Sequence, residues 1–216
     1  MALELWRQEF HASIESLVGS VYPSFGSGNI KSVVDDGVSP LIIGMDFNRT
    51  PFCACVAQMQ GNTLAVIDEV VLMESDSREM ALTIRDRYPS RAIHCCPDPT
   101  GKRLQTSSLG LSDHKILKDV GNFVIHAPKA PWRQRDTINA LRMWILSADG
   151  QCRLQVDPTC KRVIRLLRNL TFKPGKAEPM DDDNSHMAEA TAYVAIAISK
   201  GLTPWTVGRS ETVSVW

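Results

Sequence analysis

Asp46 interrupts the apolar run "LIIGMDFNRTPFCACVAQ", and Asp98 lies in "CCPDPTGK", just past a second short apolar run. A buried carboxylate is costly unless it is paired, hydrogen-bonded or bound to a metal, so each acid calls for a partner. A late segment, "DDDNSHMAEATAYVAIAISK", offers Asp183, His186 and Glu189. His186 and Glu189 stand three residues apart, which puts them on one face of a helix, and Tyr193 continues that face. Acids at strand ends and at a helix start can converge although they are far apart in the chain. Mg²⁺ and Mn²⁺ favour such oxygen donors, and two ions about 3.5–4 Å apart activate water and stabilise the leaving oxygen in phosphodiester hydrolysis. Each residue also has a plainer reading. Asp46 can be a turn acid held by backbone donors, Asp98 can cap a turn between its two prolines, His186 and Glu189 can be a surface pair, and Asp181, Asp182 and Asp183 can form a solvated loop.

Basic residues lie where phosphates would be met. Lys102 and Arg103 follow Asp98 closely, and "PKAPWRQRD" adds Lys129, Arg133 and Arg135. The run "CKRVIRLLRN" alternates as an amphipathic helix, and its cations read as a solvated face. "DPTGKR" resembles a phosphate loop, but Cys96 stands at the first glycine position and Arg103 replaces the Ser or Thr that holds magnesium, so no ATP site is expected. Asp68 and Glu69 point to opposite sheet faces, and Glu69 is assigned a supporting role.

The elements that must position these groups follow from periodicity. Strands are expected over 41–47, 52–60 and 63–72, with "QGN" as a tight turn between the last two, so the first three strands form an antiparallel meander. A helix over 76–88, a strand over 91–96, a helix over 111–119 and a short strand "NFVIHA" follow. Helices over 132–148, 158–170 and 184–200 complete the chain, with "CRLQV" as a further strand. Strands first and alternation afterwards predict an α/β fold: a mixed sheet, antiparallel in its first three strands and parallel later, flanked by helices. Residues 1–39 read as a helical arm and linker, 40–205 as the main domain, and 206–216 as a tail.

Composition narrows the field without deciding it. The 24 basic and 24 acidic residues cancel, so any nucleic-acid surface must be a local patch. The six cysteines lack zinc-site spacing and read as reduced thiols. No apolar run approaches the roughly 18 residues of a membrane span, and the start does not read as a signal peptide, so a cytosolic protein is expected.

Taken together, these motifs resemble those of the C-terminal nuclease domain of the large terminase subunit of tailed bacteriophages. "IIGMDFNRTP" resembles the first catalytic strand, "PDPTGK" matches the position of the second acid, and "SHMAEATAY" resembles the closing DHxxDALRY-like helix. "QEFHASIESLVGSVYPSF" resembles the segment leaving the ATPase domain. The resemblance implies an RNase H-like fold and a metal-dependent endonuclease that cuts double-stranded DNA during genome packaging in the bacterial cytoplasm. It implies Asp46, Asp98 and Glu189 as metal ligands for two Mg²⁺ or Mn²⁺ ions, with His186 a helper. Ser185 stands where the family often has Asp, and Glu189 is longer than the family's Asp, so Asp183 is an alternative third ligand. Partners implied are DNA, the ATPase domain, the small terminase subunit and the portal. A junction resolvase or transposase-like enzyme shares this chemistry, and a catalytically silent docking domain shares the fold.

Overall fold

The computed structural model describes residues 19–47, 50–102, 111–180 and 185–204. The expected N-terminal helix and the tail at 206–216 lie outside the described residues, as do Arg103 and Asp183.

Six strands form one mixed sheet in the order β5-β4-β1-β2-β3-β6. The strands β1 (Leu41–Asp46), β2 (Phe52–Gln60) and β3 (Thr63–Leu72) run as an antiparallel meander. Gly61, at φ 61°, supplies the left-handed residue that the tight turn between β2 and β3 requires. On one side β4 (Ile93–Pro97) joins β1 in parallel, followed by the two-residue β5 (Val124–Ile125). On the other, β6 (Leu154–Val156) pairs in parallel with β3.

Alternation along β1 divides the core in two. Leu41, Ile43 and Met45 face a layer built with helices α1 (Ser77–Arg87) and α2 (Asp113–Gly121). Ile42, on the opposite face, belongs to a larger layer with α3 (Gln134–Ile145), α4 (Lys161–Asn169) and α5 (Ser185–Ser199). By period two, Gly44 and Asp46 share the face of Ile42 and so look toward α5. Helix α5 is buried nearly all round, and its alanines allow that close packing.

The segment before β1 joins the same core. Val21, Tyr22 and Phe25 are buried in the larger layer, and the Asn29 amide donates to the carbonyls of Ile145 and Leu154 at 2.9 and 3.0 Å. Arg91 pairs with Asp35 at 2.9 Å and secures the chain just ahead of β1.

Some elements are shorter than periodicity predicts, each for a local reason. Asn122 adopts a left-handed conformation at φ 52° and ends α2, which leaves only Val124–Ile125 of "NFVIHA" as strand. The Asp157 carboxylate accepts from the Thr159 N–H at 2.9 Å, so the start of the 158–170 segment is a turn and α4 begins at Lys161. All six cysteines are free, and burial pushes the Cys53, Cys55 and Cys96 thiols up to about 12. No described helix is long and apolar enough to cross a membrane.

Glu69 has a definite structural task. Its two carboxylate oxygens accept from the Arg162 and Val163 N–H groups at 2.9 and 2.8 Å, so a β3 side chain caps the first turn of α4. The carboxylate satisfies donors that a helix start leaves open and meets the positive end of the helix dipole. Glu69→Ala is therefore expected to lower stability by about 1–2 kcal/mol, the scale of a lost helix cap, without altering the acids that face α5. Urea denaturation measures the loss of stability.

Candidate metal centre

The site lies at the carboxyl ends of β1 and β4. Because these two strands are parallel and adjacent, their C-terminal ends emerge side by side, the usual place for a ligand site in such a sheet. Asp46 closes β1. Asp98 follows β4, with its N–H donating to the Met45 carbonyl at 2.9 Å. Helix α5 crosses this end of the sheet and brings in the residues near its N-terminus.

Gly44 makes that crossing close. A Cβ at this position would lie 1.8 Å from the Ala190 carbonyl oxygen and 2.8 Å from the Val194 Cγ2 atom. Only a residue without a side chain lets the α5 backbone approach β1 so tightly. Two residues along the same strand face, Asp46 then meets the turn of α5 that carries His186 and Glu189.

The Asp46 side chain is 3% exposed, and the His186 Nδ1 atom lies 2.9 Å from its Oδ2. Ligand atoms of Asp46, His186 and Glu189 all fall within 4.8 Å of one another. Two carboxylates and an imidazole at that spacing fit Mn²⁺ or Mg²⁺ by size and donor type. The contact between His186 Nδ1 and the Asp46 carboxylate holds that carboxylate in one orientation.

Asp98 is not one of the three clustered ligand groups. Its carboxylate accepts from the Thr100 N–H at 2.8 Å, and its backbone carbonyl is bonded by the His114 Nε2 atom at 2.9 Å. Tyr193 of α5 and Asp98 line the same cavity. Burial pushes the Tyr193 phenol well above its ordinary value, and the carboxylates of Asp98, Glu189 and Asp46 push it further. Tyr193 thus stays protonated on the α5 face that also carries Glu189. Periodicity placed Tyr193 on that face.

Tyr22 is the residue that sequence reading missed. Its phenol is buried, and burial with the nearby Glu189 carboxylate raises it far above the ordinary tyrosine value. Nothing in its local sequence sets it apart.

Among the expected DNA contacts, Lys129, Arg133 and Arg135 are exposed. Lys102 is exposed too, and its ammonium donates to the Pro128 carbonyl, which ties the turn after Asp98 to the loop carrying Lys129 and Arg133. On α4, Arg165 and Arg168 are exposed in the manner of a solvated face.

Tyr193→Phe removes the hydroxyl from the cavity that Asp98 and Glu189 also line and keeps the ring. The expected result is Mn²⁺ binding weakened by about tenfold. Calorimetric titration with Mn²⁺ measures it, and an unchanged melting temperature without metal separates it from a structural effect.

The chain matches no protein-family model and no curated protein. Solved structures are similar to it in fold. The large terminase of a thermophilic bacteriophage superposes with a TM-score of 0.63 at 12% identity, covering 83% of this chain and 45% of that one. The nuclease domain of the P22 large terminase gives 0.63 at 14% identity, covering 82% of this chain and 91% of that domain. The nuclease domain of the large terminase from bacteriophage SPP1, with bound Mn, gives 0.51 at 19% identity, covering 76% and 93%. This chain therefore spans under half the length of the thermophilic phage's large terminase. Its mixed six-stranded sheet, with α5 crossing the carboxyl ends of β1 and β4, is the RNase H-like α/β fold of large-terminase nuclease domains.

Proposed function

We propose that this chain is a divalent-metal-dependent endonuclease that cuts double-stranded DNA during viral genome packaging. The observation that carries the reading is the buried Asp46, with His186 at 2.9 Å and Glu189 in the same 4.8 Å cluster, at the carboxyl edge of this fold. The SPP1 nuclease domain contains Mn, which supports Mn²⁺ or Mg²⁺ as the cofactor here. When bound, two such ions supply an activated water and charge stabilisation for phosphodiester hydrolysis.

The chain's own residues do the positioning. Asp46 and Glu189 hold the first ligand set, with His186 orienting Asp46. Asp98, whose carboxylate accepts from the Thr100 N–H, supplies the further carboxylate. Asp183 remains the alternative third ligand. Lys102, Arg103, Lys129, Arg133 and Arg135 contact phosphates and align the strand without reading its sequence. By the family resemblance, the terminase ATPase domain is the partner proposed first. The small terminase subunit and the portal follow from the same resemblance, with the host cytoplasm as the place of action.

Incubation of supercoiled plasmid with the chain in Mn²⁺ tests the reading. Nicked and linear products that vanish with EDTA are expected. DNA retained without any cleavage would favour a silent docking domain, and strong preference for branched over linear duplex would favour a junction resolvase.

A further inference from the structure

A cavity of about 200 Å³ opens beside the carboxylate cluster. Asp98, Glu189 and Tyr193 line its side toward the cluster, while Trp132 and the buried Tyr22 contribute aromatic walls. Its volume is below the roughly 300 Å³ at which sites for drug-sized ligands begin, so it suits one ring system better than a larger body. The segment that contributes Trp132, "PKAPWRQRD", runs into the start of α3 and carries exposed Lys129, Arg133 and Arg135 on either side of it in sequence. Cations that follow phosphates, interleaved with an aromatic ring that stacks on a base, are the two parts of a single-stranded nucleic-acid site. Lys102 ties the same segment to the turn after Asp98, so base site and carboxylates are held in one frame.

We propose that this cavity takes one unstacked nucleobase of the DNA strand held at the carboxylate cluster, with Trp132 as its stacking platform. The assignment rests on the nuclease reading and adds a substrate preference to it. A base inside a duplex reaches the cavity only by leaving the stack, which costs a few kcal/mol and least where pairing is already lost. Frayed, mismatched or nicked DNA is accordingly preferred to intact duplex. Pyrimidine and purine rings both stack, so the site selects for an available base and not for a sequence.

The test compares binding of a 15-nucleotide oligothymidine with an equally long oligomer of abasic sites, measured by fluorescence anisotropy on the full chain without added metal. The parent chain should bind the oligothymidine more tightly by about 5- to 150-fold, the scale of one base-aromatic stack. Trp132→Ala should erase the difference, while Trp132→Phe should keep most of it, which also controls for folding. Equal affinity of the parent for both oligomers would overturn the proposal, since the contacts would then be to phosphates alone. So would a difference that survives in Trp132→Ala. Because binding is read without cleavage, a parent that discriminates but never nicks plasmid would sink the nuclease reading and leave the base site standing.

Discussion

Asp46→Asn should abolish DNA cleavage in Mn²⁺, lowering the rate by well over about a hundredfold, the upper end of what loss of a residue merely supporting a metal ligand produces. The change removes one negative charge from a cluster whose other members lie within 4.8 Å, so metal affinity falls with the loss of a hard oxygen anion. Folding responds differently. An asparagine amide still bonds the His186 Nδ1 atom, and repulsion from Glu189 is relieved. Without metal, the melting temperature should hold or rise. With Mn²⁺, the parent should gain stability in proportion to occupancy while the variant gains little. Thermal melts with and without Mn²⁺ therefore report the metal site independently of activity. Cleavage by the variant near the parent rate would remove the central claim.

The second large effect is structural. Gly44→Ala places a methyl carbon 1.8 Å from the Ala190 carbonyl oxygen, a backbone atom that no rotamer change can move. Helix α5 must shift outward, against a core that is tightly packed on both sides. The expected cost is about 3 kcal/mol or more, the upper range for overpacking. In a chain of this size, that lowers the melting temperature by roughly 6–12 °C. Ala190→Gly should not restore it, because the obstacle is the carbonyl and not the side chain. The stabilisation by Mn²⁺ should also shrink, since the shift carries His186 and Glu189 away from Asp46. Chemical denaturation of the two variants checks the first part, and Mn²⁺-dependent melting checks the second. A variant as stable as the parent would mean that α5 does not ride directly on β1.

Local pattern carried a good deal of this protein. Alternation with tight-turn residues placed β2 and β3 at their observed bounds, Phe52–Gln60 and Thr63–Leu72. The spacing of His186 and Glu189 placed them on one helical face, and both do fall in one cluster with Asp46. These are properties of a few consecutive residues, and the period of a strand or a helix encodes them directly. Helix and strand ends were less legible, because Asn122 and Asp157 stop or delay elements through a left-handed turn and a side-chain hydrogen bond that hydrophobic pattern does not register.

Tertiary structure decided the rest, because the contacts join residues far apart in the chain. Asp46 and His186 are 140 positions apart, and their 2.9 Å approach depends on how near α5 can come to β1, which a single glycine controls. Glu69 reads in the sequence as a supporting acid, but only the fold shows what it supports, the start of α4, 93 and 94 positions away. The chain ahead of β1 read as an arm, whereas Tyr22 from that stretch is buried near Glu189. A sequence shows which side chains share a face of their own element. Which faces meet, and at what distance, is determined only when the layers close around a common core.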